Sequence, residues 1–472
     1  MSEGTRENGV SAVNERWAAE LVDELARCGL RHCCVSPGSR STPLVVQFDA
    51  HPDIEEISII DERAAGFYAL GLARATDRPV ALVCTSGTAA ANWMPAVCEA
   101  DRSRVPLLLL TADRPPELRD TGSPQSMDQL KLYGDRVRWF HEFGRPEAET
   151  DSFRYMLSAV DLAWERARQL VPGPVHLNLP FRKPLEPLDV EAGHRDAVPA
   201  DFDVPARRTG TTFSGFSTGV RVPDEPLTGE FVERLSGAKR PMFLCGADHR
   251  GEAYREGLRD LADAVGAPVL AEPTSGLRFW KERGDVIGVG DYLVDSGLYD
   301  RVGEPDVVVR TGEAPLTWAG RRFVQGLAGA HQISVQRFVQ RRDPDHVVDW
   351  NVVADERRLF EASRDRLSDG IPDVEQGWSD AHRRAAATAT ETLAESLGQT
   401  NELEEPRMWW ELQRLLPSPA SLFVSNSMPV RNIDMYAPGG DGEIDVYFNR
   451  GLNGIDGIAS TGLGVAKGTA MP

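Results

Sequence analysis

Several runs of continuously apolar residues, each followed by a stretch with helical apolar spacing, most tightly limit what this chain can fold into. A strand that is apolar on both faces must be buried on both, which is the condition of a parallel sheet covered by helices. Along the first part of the chain the order is a helix over 13–29, strand HCCVSPG and a helix opening SRSTPLVVQF. Strand EISII, a helix beginning after Glu62 and strand PVALVCTSG follow. Then come helix TAAANWMPAVCEA, strand VPLLLLTAD, helix SFRYMLSAVDLAWERARQL and strand PVHLNLP. The alternation predicts an α/β fold of three doubly wound, mostly parallel-sheet domains, the third incomplete. The boundaries fall at residues 1–187, a linker at 188–225 rich in Pro, Gly, Thr and Asp, 226–375, and 376–472. Residues 1–12 read as a polar tail, and GLGVAKG near the end as a small-residue helix rather than a dinucleotide site, because its glycine spacing is wrong.

Charge narrows the function classes. A net charge of −20 argues against nucleic acid as a partner. Only five of the 52 basic residues are Lys, and this acid excess with Arg in place of Lys suggests a salt-adapted surface. No apolar run reaches membrane-spanning length and the start has no signal-peptide pattern, so a soluble, cytoplasmic protein with no membrane partner is expected. The six Cys include no CxxC pair and the nine His no metal-type spacing, so free, buried thiols and no metal ligands are expected.

The polar residues that interrupt this pattern gather just after strands, where open α/β sheets place their chemistry. Glu62 opens a helix directly after EISII, either as a helix-start acid facing the macrodipole or as a catalytic carboxylate. In SPGSRSTP, Gly38 allows a tight turn and Ser39 supplies an N-cap-like hydroxyl. Arg40 stands at the sheet edge as a carboxylate-binding fork or a solvated cap residue. Gly87 in TSGTAAAN suits either a flat ligand packed on the turn or close helix–strand packing. Arg114 precedes two prolines in a long loop that includes Gln125, and such braced loops commonly bind ligands. NSMPVR and FNRGLNGIDG repeat the arrangement with Ser427, Arg431, Arg450 and Ile455. Four Arg at strand ends imply a ligand with more than one carboxylate.

Together, SPGSRSTP, DERAAGFYALGLA, TSGTAAANWMPA, LLTADRPPELRDTG, NSMPVR and NRGLNGIDG resemble the family of thiamine diphosphate-dependent 2-succinyl-5-enolpyruvyl-6-hydroxy-3-cyclohexene-1-carboxylate (SEPHCHC) synthases of menaquinone biosynthesis. The likeness is dense over 30–185 and 421–472. It implies pyrimidine-binding, central and diphosphate-binding domains, a homodimer or homotetramer, and decarboxylation of 2-oxoglutarate with 1,4-addition to isochorismate. It also implies that Glu62 is the catalytic acid on the aminopyrimidine ring, with Gly87, Ser427 and Ile455 against the cofactor. Ser39, Arg40, Arg114, Gln125, Arg431 and Arg450 resemble the groups that bind substrate carboxylates, and Arg321 or Arg322 is matched to a central-domain contact. The family's Mg2+ and diphosphate residues would fall just after Pro472. A truncated chain, inactive alone and binding cofactor weakly, is therefore expected, with a non-catalytic assembly partner of the same fold as the alternative and another thiamine diphosphate decarboxylase as a more distant one.

Overall fold

The computed structural model describes residues 3–169, 171–187, 203–248, 251–281, 284–367, 373–399, 402–440 and 442–471. Its contacts divide into two compact units, Met1–Thr218 with Asn449–Ala470, and Gly219–Phe448 with Met471–Pro472. Residues 188–202 of the expected linker and 368–372 before the expected third region lie outside the described residues.

The first unit is built on six parallel strands: β1 (His32–Ser36), β2 (Glu55–Ser58), β3 (Val80–Cys84), β4 (Leu107–Asp113), β5 (Trp139–Glu142) and β6 (Val175–Pro180). Their order is β2-β1-β3-β4-β6-β5. The apolar runs of β3, β4 and β6 are buried along their whole length, as two-sided burial requires. Trp17, Leu21, Phe48, Phe153 and Val160 belong to one core. Phe67, Leu70, Trp93 and Val97 belong to another. Strand β5, WFHE, was not anticipated: it is a half-buried edge strand with two polar residues and no continuous apolar run.

Two local expectations are corrected. The polar tail is instead helix, which runs Glu3–Cys28 because Val10 and Val13 continue the spacing of Trp17 and Leu21 back along the same face. Ser11, 1% exposed, anchors this turn by donating to the Glu186 carbonyl at 2.5 Å. The helix TAAANWMPAVCEA is two, Thr88–Ala91 and Met94–Ser103, since Pro95 fits the opening turn of a helix and not its interior.

The last helix, Ile458–Thr469, lies on the helix Glu62–Thr76. Its docking surface is backbone. A Cβ on Gly71 would stand 2.0 Å from the Thr461 carbonyl oxygen, and one on Gly464 would stand 2.1 Å from that of Tyr68. The pairing continues to Gly457 on Phe67 and Gly468 on Ala75, so the two helices run side by side in the same direction. At the edge, Lys467 pairs with Glu55 at 2.6 Å.

Residues 203–216 strap the helices Glu3–Cys28 and Thr150–Arg168. Arg207 pairs with Glu24 at 2.7 Å, the Phe213 N–H donates to Glu24 at 2.6 Å, and the Ser214 N–H donates to Asp161 at 2.5 Å. Burial pushes the Asp161 carboxyl up to about 7, with the Glu24 charge adding to it against the Ser214 N–H.

The second unit carries β7 (Pro241–Cys245), β8 (Val269–Ala271), β9 (Val307–Thr311), β10 (His331–Gln336) and β11 (Trp350–Val353) in the parallel order β11-β10-β9-β7-β8. Strand β11, within DWNVV, is a four-residue edge strand with one buried residue, too short to have stood out. The same unit holds a parallel pair, β12 (Ala420–Val424) and β13 (Ile444–Phe448). Val424, Ile433 and Val446 share a core there with Phe279 and Leu316, and buried Arg278 is ion-paired to Asp434.

Two predictions follow from this packing. Gly71→Ala or Gly464→Ala forces a methyl into a carbonyl and should cost about 3 kcal/mol, measured by chemical denaturation; an unchanged midpoint would refute the close helix pairing. The native Asp161 holds a proton that the unfolded chain has released. Stability should therefore fall as pH rises from the ordinary carboxylate value of 3.8 to about 7. Asp161→Asn should flatten that part of the pH profile of Tm.

Candidate active site

Because all strands of the first sheet run the same way, the turns after β2, β1, β3 and β4 emerge side by side on one edge. They carry Glu62, the 39–41 turn, Gly87 and Arg114 respectively.

Glu62 is the first residue of its helix, but capping is done by its neighbour: the Asp61 side chain accepts from the Arg63 N–H at 2.9 Å and pairs with the Arg63 guanidinium at 2.5 Å. The helix end is thus satisfied without Glu62. Among the described residues no hydrogen bond or ion pair engages the half-buried Glu62 carboxylate. Capping therefore does not use Glu62, which stands as an acid in the first turn of its helix.

The turn after β1 is a short 3-10 helix, Ser39–Ser41. Ser39 is exposed and does not cap it; Gly38 holds the cap position, and it is the Ser41 hydroxyl that donates locally, to the Gly38 carbonyl at 2.9 Å. Gly38 is needed for approach: a Cβ there would lie 2.6 Å from the Cβ of Thr85 on the neighbouring turn. Thr85 is buried and its hydroxyl has no hydrogen-bond partner.

Arg40 is 3% exposed, donates once to the Phe181 carbonyl at 2.6 Å, and leaves its buried Nε unpartnered. Burial, with the neighbouring Arg114 charge adding to it and Asp113 opposing, pushes Arg40 down to about 10. Arg114 donates to the Pro124 carbonyl at 2.8 Å, and its Nε is also buried without a partner. Among the described residues neither guanidinium has a carboxylate within ion-pair distance. Two neighbouring cations, one of them buried and neither ion-paired, repel each other, and an anion between them relieves that repulsion.

The loop after β4 folds back on the turn after β3. Gly87 has φ +85, which a side chain rarely tolerates, and a Cβ there would meet the Gln125 Cγ at 3.2 Å. Gln125 is exposed, itself has φ +56, and donates from Nε2 to the Ser86 carbonyl at 3.3 Å while the Ser86 hydroxyl donates to its carbonyl at 3.0 Å. Beneath lies a buried network that the motifs did not reveal, built on Asp113, Gln129 and Asn178. A signal was present: His176 and Asn178 interrupt an otherwise apolar strand, and buried polar groups require partners.

Arg450 and Ile455 lie on the loop between β13 and the last helix. Buried Glu99 fixes this loop by accepting from the Gly451 and Leu452 N–H groups at 2.8 and 2.7 Å. Ile455 is 72% exposed, although apolar. The structure thus brings Ser39, Arg40, Glu62, Gly87, Arg114, Gln125, Arg450 and Ile455 into one unit.

Ser427 and Arg431 belong to the other unit. Ser427 has φ +69 before the helix Met428–Tyr436, and Arg431 turns back on it, donating to its carbonyl at 3.1 Å. That unit also has a concavity bordered by Cys245, Glu272, Asp291 and Thr317. Several of its charged groups are satisfied internally: Arg278 by Asp434, Arg310 by Asp343, and Asp291 by the Thr317 hydroxyl at 2.7 Å. Burial nonetheless pushes Asp291 up to about 6. Arg321 is tied to Asp345, and the exposed Arg322 lies 3.7 Å from Asp295. Neither resembles the unpaired Arg40.

Residues 16–132 match the family model described as thiamine pyrophosphate enzyme, N-terminal TPP binding domain. The chain is 42% identical over 476 residues to a 2-succinyl-5-enolpyruvyl-6-hydroxy-3-cyclohexene-1-carboxylate synthase of Haloarcula marismortui, covering 98% of this chain and 78% of that protein. The enzyme of the same name from Natronomonas pharaonis is 41% identical, with 98% and 78% covered. That of Listeria innocua is 37% identical, with 95% and 75% covered.

The unpaired Arg40 and Arg114 make a direct test possible. Glutarate, a simple dicarboxylate, should raise the Tm of the protein, and Arg40→Gln or Arg114→Gln should weaken its binding by about 2 kcal/mol. Equal stabilisation of all three proteins would show that neither guanidinium receives the anion.

Proposed function

From the premise that this chain belongs to the SEPHCHC synthase family of thiamine diphosphate enzymes, we propose that it decarboxylates 2-oxoglutarate and adds the resulting four-carbon unit to isochorismate in menaquinone biosynthesis. The observation that carries the reading is the unpaired Arg40–Arg114 pair on the same sheet edge as the uncommitted Glu62. Both substrates are dicarboxylates, and a 2-oxoacid with a single carboxylate would not need two guanidinium groups left without an ion pair.

The residues present fit the aminopyrimidine half of the cofactor. A half-buried carboxylate without a partner stands at the end of β2, and a buried unpartnered Thr85 hydroxyl and the side-chain-free turn at Gly87 stand at the end of β3, with β1 between the two strands. They do not fit Mg2+: among the described residues the one close group of possible metal ligands is Glu24, Cys28 and Asp161, on the buried faces of two helices. Mg2+ therefore enters only as the family's counter-ion for the diphosphate, and no step here is derived through it.

Thiamine diphosphate, when bound, supplies an electron sink for the pair left behind as CO2 departs. The protein's part is positioning and proton transfer. Glu62 holds the aminopyrimidine by a hydrogen bond and exchanges the proton that activates the cofactor. Arg40 and Arg114 bind substrate carboxylates and orient the keto carbon. In the reaction the bond between the carboxyl and keto carbons of 2-oxoglutarate breaks, CO2 leaves, and the retained pair forms a bond to the unsaturated ring of isochorismate. Ser39, Gln125 and Arg450 complete the carboxylate contacts in this proposal and Ile455 contacts the cofactor; for Arg431 and Ser427, on the other unit, the carboxylate and cofactor roles are those the family implies. Self-association as a homodimer or homotetramer, a cytoplasmic location and a salt-adapted surface belong to the same proposal. In support of the last two, no described helix is long and apolar enough to cross a membrane, and the charge is −20.

The test is Glu62→Gln, assayed for CO2 release with both substrates. The kcat should fall by roughly 10²- to 10⁴-fold with little change in KM. A near-normal kcat at saturating cofactor would remove Glu62 from the mechanism.

A further inference from the structure

Gln129 closes the long loop after β4 and has no role in the reading above, yet it sits where the two sides of the site meet. It is 1% exposed. Its Oε1 accepts the Gly87 N–H at 2.9 Å, and its Nε2 donates to Asn178 Oδ1 at 2.9 Å and to the Ala112 carbonyl at 3.3 Å. One carboxamide thus ties the turn after β3 to the ends of β4 and β6.

The surroundings leave that carboxamide a single orientation. Asn178 Oδ1 also accepts the Thr111 hydroxyl at 2.7 Å, while Asn178 Nδ2 donates to Asp113 Oδ2 at 2.9 Å and Glu142 Oε2 at 2.6 Å. Those two carboxylates fix the Asn178 amide, and Arg119 bridges them from the loop at 2.9 and 2.6 Å. On the far side Thr111 meets His176 at 2.8 Å, whose ring burial keeps neutral by lowering it to about 3. Asn178 Oδ1 therefore faces Gln129 as an acceptor, and the Gly87 N–H faces it as a donor. Only a group that accepts on one side and donates on the other satisfies both. Asp113 then holds the Arg114 N–H at 2.7 Å, so the network ends at the start of the carboxylate-binding loop.

We infer that Gln129 is a positioning residue that holds the Gly87 turn and the Arg114 loop in mutual register through Asn178 and Asp113. The inference rests on the functional reading above only in taking these two segments as the cofactor and substrate sides. A misplacement of about an ångström at such a site costs roughly 100-fold in rate.

The test uses two variants. Gln129→Met removes both polar functions with similar volume. Gln129→Glu keeps the acceptor but, when ionised, turns a second acceptor toward Asn178 Oδ1 and the Ala112 carbonyl. Burial beside acceptors favours the protonated acid. The protonated form restores one donor and one acceptor.

Expected for Gln129→Met is a loss in kcat/KM of roughly 10- to 100-fold at every pH, in chain that remains folded. Expected for Gln129→Glu is a similar loss at alkaline pH that recovers as pH falls, relative to the parent profile. A merely structural role would lower Tm without this pH-dependent rescue. Hydrogen–deuterium exchange of the unliganded protein gives a readout independent of turnover: in Gln129→Met, segments 85–90 and 112–129 should exchange faster together. If the parent shows no turnover but the two segments still loosen together, the functional reading fails and the positioning inference stands. If both variants keep parental kcat/KM and exchange at those segments is unchanged, the inference is overturned.

Discussion

Parallel pairing of β1 between β2 and β3, and of β3 with β4, is the constraint on which the rest of the first unit depends. It determines that each strand hands its chain to a turn on the same edge. Neighbouring strands in a sheet lie about 4.8 Å apart, so four consecutive strand ends bring groups remote in sequence within reach of one small ligand. The helices on both faces keep that edge the open side of the sheet. Backbone approach then sharpens it, since Gly38 presses on Thr85 and Gly87 on Gln125, where side chains would hold the turns apart.

The charge arrangement of this edge differs from the rest of the protein. Several buried or half-buried Arg residues elsewhere are matched: Arg207 by Glu20 and Glu24, Arg278 by Asp434, Arg138 by Asp101. Acid excess makes such matching easy. Arg40 and Arg114 escape it because the carboxylate nearest them, Asp113, is engaged by Arg119, Asn178 and the Arg114 backbone. The positive charge at this edge is thus left without an ion pair because the local acid is engaged elsewhere.

Much of this could be read from the sequence, for identifiable reasons. Continuous apolar runs such as LLLLTA and VALVC announce buried parallel strands by themselves, and the turns that follow were found because Gly, Ser, Arg and Glu break those runs. Strands β5 and β11 were missed because an edge strand needs only one buried face and carries a weaker pattern. Ser39 was given the capping role since Ser commonly caps helices, whereas the backbone placed Gly38 there and left Ser39 in solvent. Asn178 was visible as a polar break in an apolar strand, but its partner Gln129 was out of reach because the pairing spans 49 residues and no local pattern reports it. The docking of the last helix was invisible likewise: small residues alone do not name the helix they pack against.

That docking also dictates an order of assembly. Gly71 meets Thr461 across about 390 residues, and the segment Gly219–Phe448 of the second unit lies between them in the chain. On a ribosome, that whole segment is made before the first unit has its last helix. The face of the helix Glu62–Thr76 that receives Tyr68-to-Gly464 and Gly71-to-Thr461 contacts stays uncovered throughout that interval, and closing so long a loop adds an entropic cost that late contacts must repay. The helix that begins with Glu62 is therefore the last part of its own unit to be covered, although it is among the first to be made.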